Sequence, residues 1–126
     1  DSRASVDARR QLAALHVDQG KFAQAQREFT ETQAWLVARL GREHPDVARN
    51  YNSLGITAWE RGDLNEALRA LSHAIAIWRH GPNQTLLAAG LFNQAMVLHE
   101  AGFENVRTPG LTAETRLVLA ADRPRA

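Results

Sequence analysis

The sequence predicts an all-α chain of antiparallel helix pairs set side by side, and three observations carry that expectation. The first is internal repetition. Sliding the chain by 42 residues places Leu12 on Leu54, Gly20 on Gly62, Ala25 on Ala67, Arg27 on Arg69 and Ala34 on Ala76. Similar pairs share that frame: Ala13 with Gly55, Phe22 with Leu64 and Phe29 with Leu71. A further slide of 40 places Gly62 on Gly102, Glu60 on Glu100 and Ile56 on Met96. The second observation is apolar spacing of three and four residues within each unit, the period of a helix with one packed face. The third is punctuation: glycine and proline fall between the apolar stripes.

The elements follow in order. In the first helix, Leu12, Leu15 and the small Ala8 mark one face, and Gly20 stops it. A second helix runs from about Phe22 to Leu40, with Phe22, Ala25, Phe29, Leu36 and Leu40 as its stripe. Gly41 closes that helix, and Pro45 pushes His44 out of helical geometry. Proline suits the first turn of the next helix, and Asp46 suits its positive end. In the second unit Leu64, Ala67, Leu68, Leu71, Ala74, Ile75 and Trp78 form the cleanest stripe in the chain. Glycine at 20, 62 and 102 can end a helix in the left-handed conformation. Ala25 and Ala67 are small where antiparallel helices must approach closely. The stretch His80-Gly81-Pro82-Asn83 is the second inter-unit turn.

A third unit begins with Leu91, Ala95, Leu98 and Gly102 and then departs from the pattern. Arg107 stands where the earlier units have alanine, and Thr108-Pro109-Gly110 interrupts the expected helix. A shorter helix from about Thr112 to Ala121 is expected, as a cap in preference to a docking element. The chain thus divides as one domain over 1–126, with units at about 6–45, 46–82 and 83–122.

Composition narrows the function classes. With 126 residues, one domain and a modest continuous core are expected. The net charge is +1 with both signs interspersed, which argues against a nucleic-acid face. Cysteine is absent, so disulfides, thiolate nucleophiles and cysteine zinc sites are excluded. No apolar run approaches the roughly 18 residues of a membrane span. The start at Asp1, without Met or a signal-like stretch, fits a processed protein or a piece of a longer one. The expected compartment is the cytoplasm.

These residues resemble the tetratricopeptide-repeat (TPR) family, in the 42-residue form of kinesin light chains and many bacterial proteins. Leu54-Gly55, Gly62-Asp63-Leu64, Ala67, Leu71 and Ala74 match the repeat signature. The junction Gly-Arg-Glu-His-Pro-Asp-Val-Ala at 41–48, leading to Asn52 and Leu54, is similar to that of light-chain-type repeats. The likeness covers about residues 6–106.

The resemblance implies about 2.5–3 repeats in five to six helices, stacked as a right-handed superhelix. It also implies a concave groove lined by the first helix of each pair. The groove residues would be Arg10, Ala14 and Val17, then Arg49, Asn52, Ile56 and Trp59, then Phe92 or Asn93, Met96 and His99. It further implies that Asn52 holds the backbone of an extended peptide, whose amide an Asn side chain can match as donor and acceptor. Arg10 and Phe92 occupy the equivalent places in the other units, so a full Asn ladder is not expected.

Among these residues, Arg10 and Arg49 could fork onto an acidic side chain or C-terminal carboxylate. The plainer reading is a solvated face with Asp7 and Asp46 as local partners. Trp59 falls off the packing stripe of its helix and is the expected apolar anchor. Its plainer alternative is ordinary core, the reading adopted for Trp35 and Trp78. His16, His44, His73, His80 and His99 lack metal-ligand spacing and read as structural or surface residues. No phosphate loop, nucleophile elbow or carboxylate dyad is present, so neither catalysis nor a cofactor is expected.

The function expected is a protein-interaction module that binds a protein or peptide segment in the groove, with no nucleic-acid or membrane partner. Self-assembly into homo-oligomers is a second reading. A sensor domain of a larger bacterial regulator is a third.

Overall fold

Four of the five described helices begin on a residue whose side chain accepts from a first-turn amide. In the computed structural model, which describes residues 2–101, Ser2 caps α1 (Arg3–Asp18) by accepting from the Ser5 amide at 3.2 Å. Lys21 precedes α2 (Phe22–Leu40) without a side-chain cap. The His44 ring Nδ1 accepts from the Asp46 amide at 3.1 Å to start α3 (Pro45–Arg61). Asp63 caps α4 (Leu64–Arg79), and Asn83 caps α5 (Gln84–Glu100). Such oxygens and ring nitrogens replace bonds the helix cannot make within itself. At the other ends, Gly20 and Gly62 take φ of 75° and 87°, the left-handed geometry expected of them. The expected bounds of α2 agree with the helix found.

Short connections make neighbours in sequence antiparallel neighbours in space, and α3 against α4 is the most extensive contact. Buried residues follow the sequence frame closely. Ala25, Phe29, Thr32, Gln33 and Leu36 of α2 fall 42 residues before Ala67, Leu71, Ala74, Ile75 and Trp78 of α4. Asn50, Leu54, Gly55, Thr57 and Ala58 of α3 fall 40 before Gly90, Gln94, Ala95, Val97 and Leu98 of α5. The core is a chain of linked clusters, and Tyr51 borders three of them.

The first helix departs from expectation. Its buried side is Val6, Ala13 and His16, the side that meets α2. Leu12 and Leu15 are 47% and 49% exposed, whereas their counterparts Leu54 and Thr57 are 2% and 1%. On α3 that face is covered by the second helix of the pair before it; no described helix covers it on α1. The predicted stop at Gly102, the altered Arg107 position, the Thr108-Pro109-Gly110 break and the helix over 112–121 lie outside the described residues.

Helix spacing leaves no room at Gly90. A Cβ there would lie 2.8 and 2.9 Å from the Trp78 ring and 3.2 Å from Ile75, both nearly fully buried. A polar seam also fixes the pairs: the Asn50 amide donates to the Phe29 carbonyl at 2.9 Å and to Gln33 Oε1 at 2.8 Å.

Two substitutions test this packing. Alanine gains about 1 kcal/mol of helix propensity over glycine, while overpacking costs about 1–3 kcal/mol. Gly90→Ala is therefore expected to lower stability by about 1 kcal/mol, read as a fall in Tm of about 4–8 °C. Asn50→Ala leaves Gln33 Oε1 buried without its donor and is expected to cost about 2 kcal/mol in urea unfolding. A neutral result for either would contradict the packing described.

Candidate functional site

Turning about 100° per residue, α3 sends Arg49, Asn52, Ile56 and Trp59 to one side and Tyr51 and Leu54 to the other. On the same argument, Arg10, Ala14 and Val17 share a side of α1, and Phe92, Met96 and His99 share a side of α5. The helices α3 and α5 lie parallel with these sides together. Asn93 Nδ2 donates to Asn52 Oδ1 at 3.3 Å, and Trp59 Nε1 donates to the Glu100 carboxylate, so that later residues meet later residues. These contacts bring Asn52 to Asn93 and Trp59 to Glu100 across α3 and α5.

Their individual environments differ. Arg10 is half-buried and Arg49 exposed. Burial, reinforced by the charge of Arg49, lowers the Arg10 pKa from the ordinary arginine value. The Arg10 Nε is enclosed without a hydrogen-bond partner. Asp7 and Asp46, the expected local partners of these arginines, are both engaged by Arg3, with Asp7 at 3.3 Å. The Arg3 hydrogen bond holds the Asp46 carboxyl below its usual pKa.

Asn52 meets Asn93, not the residue at its frame equivalent, Phe92. The pair uses one donor and one acceptor, which leaves Asn52 Nδ2 and Asn93 Oδ1 for a further amide. Phe92 is 56% exposed, and Ile56 and Met96 are half-buried. Trp59 is half-buried against the cluster that contains Ala58, Leu68 and Leu98, and its indole N–H is spent on Glu100. Its role is therefore partly that of core. His99 is exposed.

Three of the four remaining histidines serve local structure. His16 is buried with Nδ1 2.5 Å from Glu28 Oε1, which ties α1 to α2. His44 is the cap of α3. His73 stacks on Tyr51 at 4.7 Å between ring centroids, and burial together with Arg69 lowers its pKa. Among the described residues, no three His, Asp or Glu side chains converge as a metal site.

Sequence reasoning missed a cleft of about 1230 Å³ on the opposite side, between α2 and α4. Tyr51 and Leu54 line it from α3, and Ala34, Ala38 and Ala76 keep its walls low. The signal available was alanine at 34 and 76, in frame and outside the buried stripe, where small side chains leave space between second helices.

No helix among the described residues is long and apolar enough to cross a membrane. No curated protein matches the chain. The family model for the tetratricopeptide repeat matches residues 5–80, more than half of the chain. That family consists generally of protein–protein interaction modules, typically non-enzymatic scaffolds. With five described helices packed pairwise in sequence order and this match, the chain belongs to the tetratricopeptide-repeat family.

Proposed function

We propose that the chain holds a segment of a partner protein on the surface shared by α1, α3 and α5. The observation that carries this reading is the Asn52–Asn93 pair. It presents one amide donor and one acceptor between two helices, which complements a peptide backbone without regard to sequence. Phe92, Ile56 and Met96 beside it offer apolar contact, and Arg10 and Arg49 offer two guanidinium forks. His99 borders the same surface. Binding on this side alone needs no cofactor and no catalytic group, and the cytoplasm is a fitting compartment.

Self-assembly is the second reading, supported by the exposed Leu12 and Leu15 on α1. Light scattering over a range of concentrations separates the two, since a strict monomer removes it.

Affinity capture with the wild-type chain and with Arg49→Ala/Asn52→Ala tests the first reading. Both residues lie outside the buried core, so the variant is expected to keep its helicity and to lose no more than about 0.5 kcal/mol of stability. Retention of the bound partner is expected to fall at least about tenfold, the equivalent of 1.4 kcal/mol. Equal retention by both proteins would move the binding surface elsewhere, and the cleft beside Tyr51 would be the next to examine.

A further inference from the structure

The cleft between α2 and α4 has a chemistry of its own. Its sides are apolar and low, with Ala34, Val37 and Ala38 on α2 and Ala76 and Ile77 on α4. The Tyr51 and His73 rings that line it lie nearly parallel, at 14°, with centroids 4.7 Å apart. Burial and the charge of Arg69 lower the His73 pKa, so that ring is uncharged at neutral pH. The two lining arginines are offset: Arg42 adjoins Glu43, and Arg69 is held by Glu66 through two hydrogen bonds. The cleft is thus close to electrical neutrality, with flat rings and methyl groups on its sides.

Two of its lining residues also carry a hydrogen-bond donor that no described group accepts. Gln33 is 7% exposed and Trp78 4%, yet Gln33 Nε2 and Trp78 Nε1 are enclosed without a partner. Burying an unbonded donor is costly, so each such exception calls for a cause. Packing alone does not supply one. At the positions 42 residues away in the repeat frame, Ile75 stands for Gln33 and Leu36 for Trp78, and both are buried. The Cε3–Cζ3 side of the Trp78 ring lies against Gly90, so Nε1, on the opposite edge of the indole, points away from α5. Gln33 Oε1 is spent on Asn50, which leaves Nε2 as the free end of that amide.

We infer that this cleft is a binding site for an uncharged planar aromatic compound that carries a carbonyl oxygen. The ring lies between the alanine sides and extends the stack of Tyr51 and His73. The oxygen accepts from Trp78 Nε1 or Gln33 Nε2, since both unbonded groups are donors. Both donors lie beneath the surface, so the oxygen enters first and the side chains above them turn aside to admit it. A cleft of about 1230 Å³ has room for a bicyclic molecule with water beside it. The site is separate from the surface that carries Asn52, and neither reading depends on the other.

Titration of the full chain with coumarin tests this, observed through the indole N–H signals of the three tryptophans by NMR. The signals are assigned with Trp35→Phe, Trp59→Phe and Trp78→Phe. Naphthalene, of the same planar size but without a carbonyl, is the comparison. Coumarin is expected to move the Trp78 signal most and to bind at least about fivefold more tightly than naphthalene. Ala34→Phe/Ala76→Phe, at two exposed positions, fills the cleft and is expected to abolish binding with helicity unchanged. Asn52→Ala is expected to leave coumarin binding as it was. Equal affinity for the two compounds would overturn the inference, because the unbonded donors would then play no part. Binding that survives Ala34→Phe/Ala76→Phe would overturn it as well, and so would the absence of a saturable shift up to the solubility of coumarin.

Discussion

The close approach of each helix to the next is the constraint on which the remaining structure depends. It is achieved by the absence of side chains more than by their presence. Ala13 meets Ala25 in one cluster, Gly55 faces Leu71, and Gly90 lies under Trp78 and Ile75. Small residues at these crossings let large ones interdigitate on either side, which is how a short chain reaches protein-like packing density. The same spacing sets the distance between α3 and α5, and so brings Asn52 within reach of Asn93. The candidate binding surface is in this sense a by-product of core volume.

Polar contacts within the packed layers add register to closeness. Asn50 reaches back to Phe29 and Gln33, and Gln94 Nε2 donates to Ser72 Oγ at 2.9 Å, in each case from a first helix to the second helix before it. Sliding either helix by one turn would strand a buried amide, at a cost larger than the bond itself contributes. Arg3 with Asp46 adds a tie between the beginnings of α1 and α3. Apolar burial makes the layers adhere, and these amides determine where they stop.

Much of this was legible in the residues. The left-handed turns at Gly20 and Gly62, the extent of α2 and the small Ala25 and Ala67 follow from local geometry and period, which depend on nothing remote. What escaped depends on neighbours. Leu12 and Leu54 are the same residue in the same frame, yet only Leu54 has a described helix laid over it. Trp59 reads as an anchor until Glu100 takes its N–H and its side chain packs against the cluster of Ala58, Leu68 and Leu98. The frame also names Phe92 as the counterpart of Asn52, whereas the side chain that reaches it belongs to Asn93, one residue further on. A one-residue step turns a helix by about 100°, so pairing across helices is decided by side-chain reach as well as by alignment.

Packing in sequence order has a consequence for motion. Nearly all contacts join helices that are adjacent in the chain, and only a slight contact joins α3 to α5. Such an array has no keystone: each helix is secured by its two neighbours, and stability propagates as a series of nearest-neighbour couplings. Opening then proceeds from an edge inward, in small cooperative steps. Among the described residues α1 packs on α2 alone whereas α3 packs on α2 and α4, so amide protection is expected to rise from α1 toward the α3–α4 interface. Among the described residues such an array is expected to fray as a zipper, with α3, which carries Asn52, in the part that is held from both sides.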